Sequence, residues 1–134
     1  MFPVDAQPYL PQRPPFVFVD RILECENQCI KTDFVVTAGH ELVQEGILLE
    51  TGVMENIAQS CAACIGWENR AKGVRGGVIG SVNNWELHTR PRVGDTLQTT
   101  IRIGAQVFDA TIVDAETSCN GQLIAKCNMK VFLV

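Results

Sequence analysis

One stretch dominates what this chain can become. Residues 52–69, GVMENIAQSCAACIGWEN, hold no proline and little β-branching. At helical spacing Val53, Ile57, Cys61, Cys64 and Ile65 share one stripe, with Met54, Ala58 and Ala62 beside it. The other flank is mostly small, with Ser60 and Ala63. A helix that is small and apolar nearly all round is a buried one. Eighteen residues span about 27 Å. No other long helical pattern occurs in the sequence, so the rest of the chain has to wrap this one.

The rest reads as an arm and strands. Five of the six prolines fall within the first fifteen residues (Pro3, Pro8, Pro11, Pro14, Pro15), which makes 1–15 an extended, turn-rich arm. FVFVDRILE from Phe16 reads as a strand, followed by CIKTDFVV, with a turn near Glu26-Asn27. Residues 38–46, AGHELVQEG, read as a polar loop. After the basic, glycine-rich KGVRGG, strands follow one another. TLQTTIRI alternates Leu97, Thr99, Ile101 and Ile103 against polar neighbours, Gly104-Ala105-Gln106 reads as a turn, and VFDATIVDA follows. Asn120-Gly121 is a strong hairpin signal. In LIAKCNMKVFLV the alternation puts Leu123, Ala125, Cys127, Met129, Val131 and Leu133 on one face. The expected class is α+β: one central helix covered by one curved antiparallel sheet. The last strands would present long edges, and edge pairing would make a dimer.

Composition excludes several classes. At 134 residues the chain is sized for one domain, 1–134. Hydrophobic residues at 46% against 19% charged exclude a disordered chain. A net charge of −4 argues against wholesale nucleic-acid binding. No apolar run approaches the roughly 20 residues of a membrane span. The opening MFPVDAQPYLPQRPP lacks a basic n-region and an apolar h-region. The expectation is a cytoplasmic protein whose six cysteines are reduced. Cys61-Ala-Ala-Cys64 lies inside the helix rather than opening it, and Cys25 and Cys29 do not repeat its spacing. The cysteines are therefore expected to be core filler, with no metal and no cofactor. No phosphate-loop, dinucleotide or nucleophile-elbow motif is present.

The charge is unevenly spread. Residues 70–92 carry Arg70, Lys72, Arg75, Arg90 and Arg92 against Glu86 alone, and the remainder has six basic and fourteen acidic residues. A local basic face on an acidic protein suits an acidic partner or a phosphate-bearing ligand.

Three stretches stand in series: Tyr9-Leu-Pro-Gln-Arg-Pro-Pro-Phe-Val-Phe-Val-Asp-Arg21, Gly39-His40 followed by Glu55-Asn-Ile-Ala-Gln59, and Arg90-Pro-Arg-Val-Gly-Asp95. Together they resemble the hotdog-fold (3R)-hydroxyacyl-ACP dehydratases. More narrowly, the chain resembles the divergent dehydratase-like proteins of polyketide-type (aryl polyene-like) pathways. The resemblance implies a hotdog fold, a helix wrapped by a long sheet, paired as a dimer with active sites at the interface. It implies dehydration of 3-hydroxyacyl thioesters to 2-enoyl thioesters, on acyl carrier protein or coenzyme A. His40 would be the base and Glu55, from the opposite subunit, the acid. The oligomer would be a homodimer or larger, or a hetero-oligomer with a homologue.

The chemistry fits those residue types. A base must take a proton from C2 and an acid must protonate the departing 3-hydroxyl, each worth roughly 10²–10⁴-fold. Gly52 and Val53, read at the helix start, are candidates for the thioester oxygen. Glu55, read in the first helical turn, gains from the dipole, and Gln59 lies one turn on, placed to orient it. The sequence departs from the family after His40, where Glu41-Leu42-Val43 stands in place of Phe-Pro-Gly, and Gln12 replaces the histidine of the opening motif. A thioesterase, with the helix acid activating water, and a non-catalytic hotdog subunit partnering an active homologue are the competing readings. Arg70, Lys72, Arg75, Arg90 and Arg92 are the candidates for docking the acidic carrier.

Overall fold

The computed structural model describes residues 1–73 and 76–133. Among the described residues there is one α-helix, α1, spanning Glu50–Glu68, with a 3-10 turn at Arg70–Lys72 after it. Around it the strands run β1 Val4–Asp5, β2 Arg21–Glu26, β3 Cys29–Val35, β4 Val43–Gln44, β5 Ile47–Leu48, β6 Gly77–Leu87, β7 Thr96–Val107, β8 Ala110–Cys119 and β9 Gln122–Leu133. Seven of them form one sheet in the order β1-β2-β3-β7-β8-β9-β6, and every pair is antiparallel. β4 and β5 make a separate small hairpin. This is the expected helix against a single antiparallel sheet.

The turns follow from residues that tolerate positive φ. Asn27-Gln28, Glu45-Gly46 and Asn120-Gly121 each place two consecutive residues there, as a tight hairpin between right-twisted strands requires. The expected turn at Gly104-Ala105-Gln106 does not form. β7 runs on to Val107 and accommodates Gly104 as an irregularity between Ile103 and Ala105, so the reversal falls at Phe108-Asp109. A second irregularity, between Thr117 and Ser118, shifts the start of β9. There Ile124 and Ala125 are both buried while Leu123 is exposed, contrary to the strict alternation. The Leu133 side chain lies outside the described residues.

The strand expected from Phe16 begins only at Arg21. Phe16–Asp20 is instead an irregular segment laid over α1. Together with the N-terminal arm it covers the helix face that the sheet leaves open, so that Asn56 through Gly66 are all buried. Tyr9 sits directly over Gly66, where a Cβ would lie 2.4 Å from the Tyr9 carbonyl oxygen. Phe2 and Tyr9 close on Trp67 with ring centroids 5.3 Å away in each case. The helix is thus covered on both sides within one chain.

Two expectations are corrected here. The last strands are not edges: β8 and β9 are interior, and the sheet ends on the two-residue β1 at one side and on the long β6, paired with β9, at the other. Nor are all six cysteines free. Cys25 of β2 and Cys64 of α1 form a disulfide, with Cα atoms 5.7 Å apart. Cys61, Cys119 and Cys127 are free and buried, as core filler should be, and Cys29 is free and half-buried. Burial, and secondarily the charge of Glu68, pushes the Cys61 thiol up to about 12, so it stays protonated and inert.

Candidate active site

The helix supplies a column of polar groups that the sequence pattern hides among its alanines. Asn56 is fully buried. Its Nδ2 donates to the Phe18 carbonyl at 2.6 Å, and its Oδ1 accepts from Thr99 Oγ1 at 2.6 Å. Thr99 in turn meets Thr117 at 2.9 Å. One turn on, Ser60 pairs with Thr32 at 2.7 Å. These contacts fix the helix against β3, β7 and β8, and they satisfy every polar atom they bury.

Gln59, placed by the sequence one turn after Glu55, does reach its carboxylate. Its Oε1 accepts the Phe18 N–H at 2.8 Å, while its Nε2 donates to the Phe16 carbonyl at 3.0 Å and to Glu55 Oε2 at 3.2 Å. Both Nε2 hydrogens and one Oε1 lone pair are engaged inside the protein, which holds the side chain in one orientation. Replacing Gln59 by Leu leaves the Phe16 carbonyl and Phe18 N–H unpaired. The expected cost is about 1–3 kcal/mol for each group stranded, read as a lowered urea midpoint at unchanged slope.

Glu55 is half-buried on α1. The helix starts earlier than expected, with Leu49 as its N-cap, so the first-turn acid is Glu50. Glu55 sits in the second turn, and the dipole argument made for it passes to Glu50, whose carboxylate accepts from Trp85 Nε1 on β6. The earlier start also corrects the expectation for Gly52 and Val53. Their amides both donate to Leu49 O, at 2.8 and 3.3 Å, and are already spent. Glycine is required at position 52 by space: a Cβ there would lie 2.4 Å from Leu48 Cδ1.

His40 lies in the loop after β3. Its ring meets Phe34 edge-on at 4.6 Å between centroids and Phe18 at 5.7 Å. Nδ1 faces Thr37, with Oγ1 at 3.0 Å and the backbone N and O both at 3.3 Å. Nε2 is therefore the nitrogen left for proton transfer. The ring borders a pocket of about 310 Å³ shared with Asp20, Arg21, Val17 and the arm residues Pro3 and Asp5. Partial burial holds the Asp20 carboxyl above its ordinary value, and the neighbouring Asp33 adds to this. The Val35 N–H, donated at 2.7 Å, and the nearby His40 oppose the shift.

Phe18 ties the two candidate residues together. Its ring packs on His40, and its backbone is held by Asn56 and by Gln59, which holds Glu55. Sequence reasoning missed Phe18, Asn56 and Thr37. The signal for Asn56 was a polar side chain on an otherwise apolar helix, next to a motif residue.

The described cations of the basic segment do not share one face. Arg70 and Lys72 lie past the C-terminal end of α1, while Arg90 and Arg92 flank the β4–β5 hairpin at its N-terminal end, where Ile47 bridges Arg92. Nineteen helical residues separate the two groups, about 28 Å. Arg70 is also engaged locally, donating to the Trp67 carbonyl at 2.8 Å with its guanidinium 4.0 Å from the Trp67 ring centroid. Lys72, Arg90 and Arg92 are exposed. Arg75 lies outside the described residues. No helix among the described residues is long and apolar enough to cross a membrane.

Comparison with known proteins agrees with this architecture. No curated protein sequence gives a significant match. Among solved structures, the dehydratase heterocomplex ApeI:P from Xenorhabdus doucetiae superposes with a TM-score of 0.87 at 16% identity, covering 98% of this chain and 91% of that one. smu.793 from Streptococcus mutans UA159, bound to acetyl CoA, gives 0.67 at 16% identity, with 94% and 96% covered. A hypothetical thioesterase from Streptococcus pneumoniae TIGR4, with coenzyme A, gives 0.63 at 13% identity, with 84% of each covered. These likenesses establish the hotdog fold. A family model described as ApeP-like, ApeP dehydratase, matches residues 4–134. The chain belongs to the ApeP-like dehydratase family.

Proposed function

We propose that this protein removes water from 3-hydroxyacyl thioesters carried on acyl carrier protein, giving 2-enoyl thioesters. His40 Nε2 takes the C2 proton, and Glu55 of a second subunit protonates the leaving 3-hydroxyl. What supports this reading is that each residue is held within its own chain: Thr37 occupies Nδ1 of His40, Phe18 packs on the His40 ring, and Gln59 holds the Glu55 carboxylate. Such fixed geometry is what proton transfer needs. With Gly52 and Val53 spent on Leu49, the amides of Glu50 and Thr51 are the donors at the open end of α1 for the thioester oxygen.

The second subunit belongs at β6. Its outer edge is unpaired in the single chain, and beside it Met54, Ile79, Val82 and Trp85 are only partly buried. A second hotdog chain would continue the sheet and cover them. The heterocomplex formed by the ApeI:P relative favours a homologous partner as a further reading, in which this chain works against a sister subunit. Arg90 and Arg92, beside the hairpin that follows His40, are the docking residues this geometry prefers for an acidic carrier in the cytoplasm. Arg70 and Lys72 lie too far away to join them.

The test is complementation between inactive chains. His40→Ala and Glu55→Gln should each lose formation of the conjugated enoyl thioester, followed by its absorbance. Unfolded and refolded together, the two variants should recover about a quarter of wild-type activity, since half the dimers are mixed and each carries one intact site. No recovery from two inactive variants would contradict the assignment of the pair to opposite subunits, and wild-type activity in either variant alone would remove that residue from the chemistry.

A further inference from the structure

Cys25, Cys64 and Glu68 place two sulfurs and a carboxylate oxygen within 4.8 Å of one another. The sulfurs come from different elements, β2 and α1, and both residues are buried. Cys64 and Glu68 are one helical turn apart, so both project from the same side of α1. Glu68 Oε1 lies 3.9 Å from Cys64 Sγ, and Cys25 Sγ lies 3.5 Å from the Cys64 carbonyl. Glu68 is exposed, which gives the cluster an opening to solvent. The catalytic proposal uses none of these residues. Glu55 precedes Cys64 by nine positions on the helix, about 13 Å along its axis.

In the disulfide the two sulfurs are spent on each other. A phosphine breaks the S–S bond by giving up two electrons and becoming its oxide with oxygen from water, whose two protons leave two thiols facing one carboxylate. We propose that this reduced form binds a thiophilic divalent ion such as zinc through Cys25 Sγ, Cys64 Sγ and Glu68, with water in the fourth, solvent-facing position. Two thiolates with an oxygen donor and water suit zinc, which prefers tetrahedral sulfur and oxygen ligands. Binding releases the two thiol protons, so affinity rises with pH. The ion would join β2 to α1 at the same point as the disulfide, making disulfide and metal alternative links across one junction.

The experiment uses the full chain and Co²⁺ as the probe. Reduced with a phosphine under anaerobic conditions, it should take up one equivalent of Co²⁺ with thiolate-to-cobalt charge transfer and the visible bands of a tetrahedral site, and Zn²⁺ should bleach them. The oxidised protein, with the same fold, should show neither. Cys25→Ser and Cys64→Ser should lose the signal, while Cys29→Ser keeps it. Glu68→Gln should retain the thiolate band but weaken binding by at least about tenfold, the lower end of what even outer-shell partners contribute. Bands absent from the reduced wild type, or equal in the oxidised protein, would overturn the proposal without recourse to any variant. Bands that survive in Cys25→Ser and Cys64→Ser would overturn it as well.

Discussion

Glu55→Gln should abolish turnover of a 3-hydroxyacyl thioester, lowering kcat by about 10²–10⁴-fold while the protein stays folded. The substitution keeps the size and shape of the side chain and removes the acidic proton that the leaving hydroxyl requires. Glu55 is half-buried and bonded only at its carboxylate, by Gln59, so its replacement strands no buried partner beyond the reach of solvent. A drop in kcat with an unchanged thermal midpoint is the expected pattern. Full activity in Glu55→Gln would remove this residue from the chemistry.

Phe18→Ala should do more damage to the fold and comparable damage to the site. Phe18 is 2% exposed, packs 5.9 Å from Phe34 and 5.7 Å from His40 between ring centroids, and belongs to a buried apolar cluster with Val36, Leu48, Val53 and Leu97. Deleting the ring should cost about 3–5 kcal/mol, the usual range for a buried phenylalanine. Its backbone bonds to Asn56 and Gln59 are unaffected by the truncation. The Glu55 support should therefore persist while His40 loses one wall of its cage. The signature is a large fall in urea midpoint with kcat reduced in the fraction that remains folded. A Phe18→Leu variant should recover most of the stability, since it refills much of the volume. A stability loss below about 1 kcal/mol in Phe18→Ala would show that the ring is not part of the core.

The sequence was legible where a local signal decides the structure. The helix was, because no proline interrupts it and its small apolar residues run all round. So was Gln59, because i and i+4 on a helix must be neighbours. The Asn120-Gly121 turn was too, because both residues adopt positive φ readily. What was illegible depended on partners distant in the chain. Phe16–Asp20 has strand composition, yet Gln59 and Asn56 side chains capture the Phe18 backbone in place of a neighbouring strand. Gly104 marks an irregularity within a strand because β8 continues alongside it. Cys25 and Cys64 are 39 positions apart, and spacing alone cannot pair them. The five cations of 70–92 are neighbours in sequence, but β6 returns along the helix and carries Arg90 and Arg92 to its opposite end. Among the candidate site residues, His40 was legible only as a motif position, and Glu55 also as an acid on an apolar helix; the Thr37 and Phe18 contacts of His40 come from two separate irregular segments that only the fold brings together.

The most direct measurement is the intact mass of an acyl carrier protein loaded with a 3-hydroxyacyl group, taken before and after incubation with the wild-type protein alone or together with a homologous subunit. The account predicts loss of one water from the acyl-carrier species, absent with Glu55→Gln. Release of free acid, leaving the unacylated carrier, would contradict dehydration in favour of hydrolysis. An unchanged mass in both preparations would contradict a catalytic role altogether.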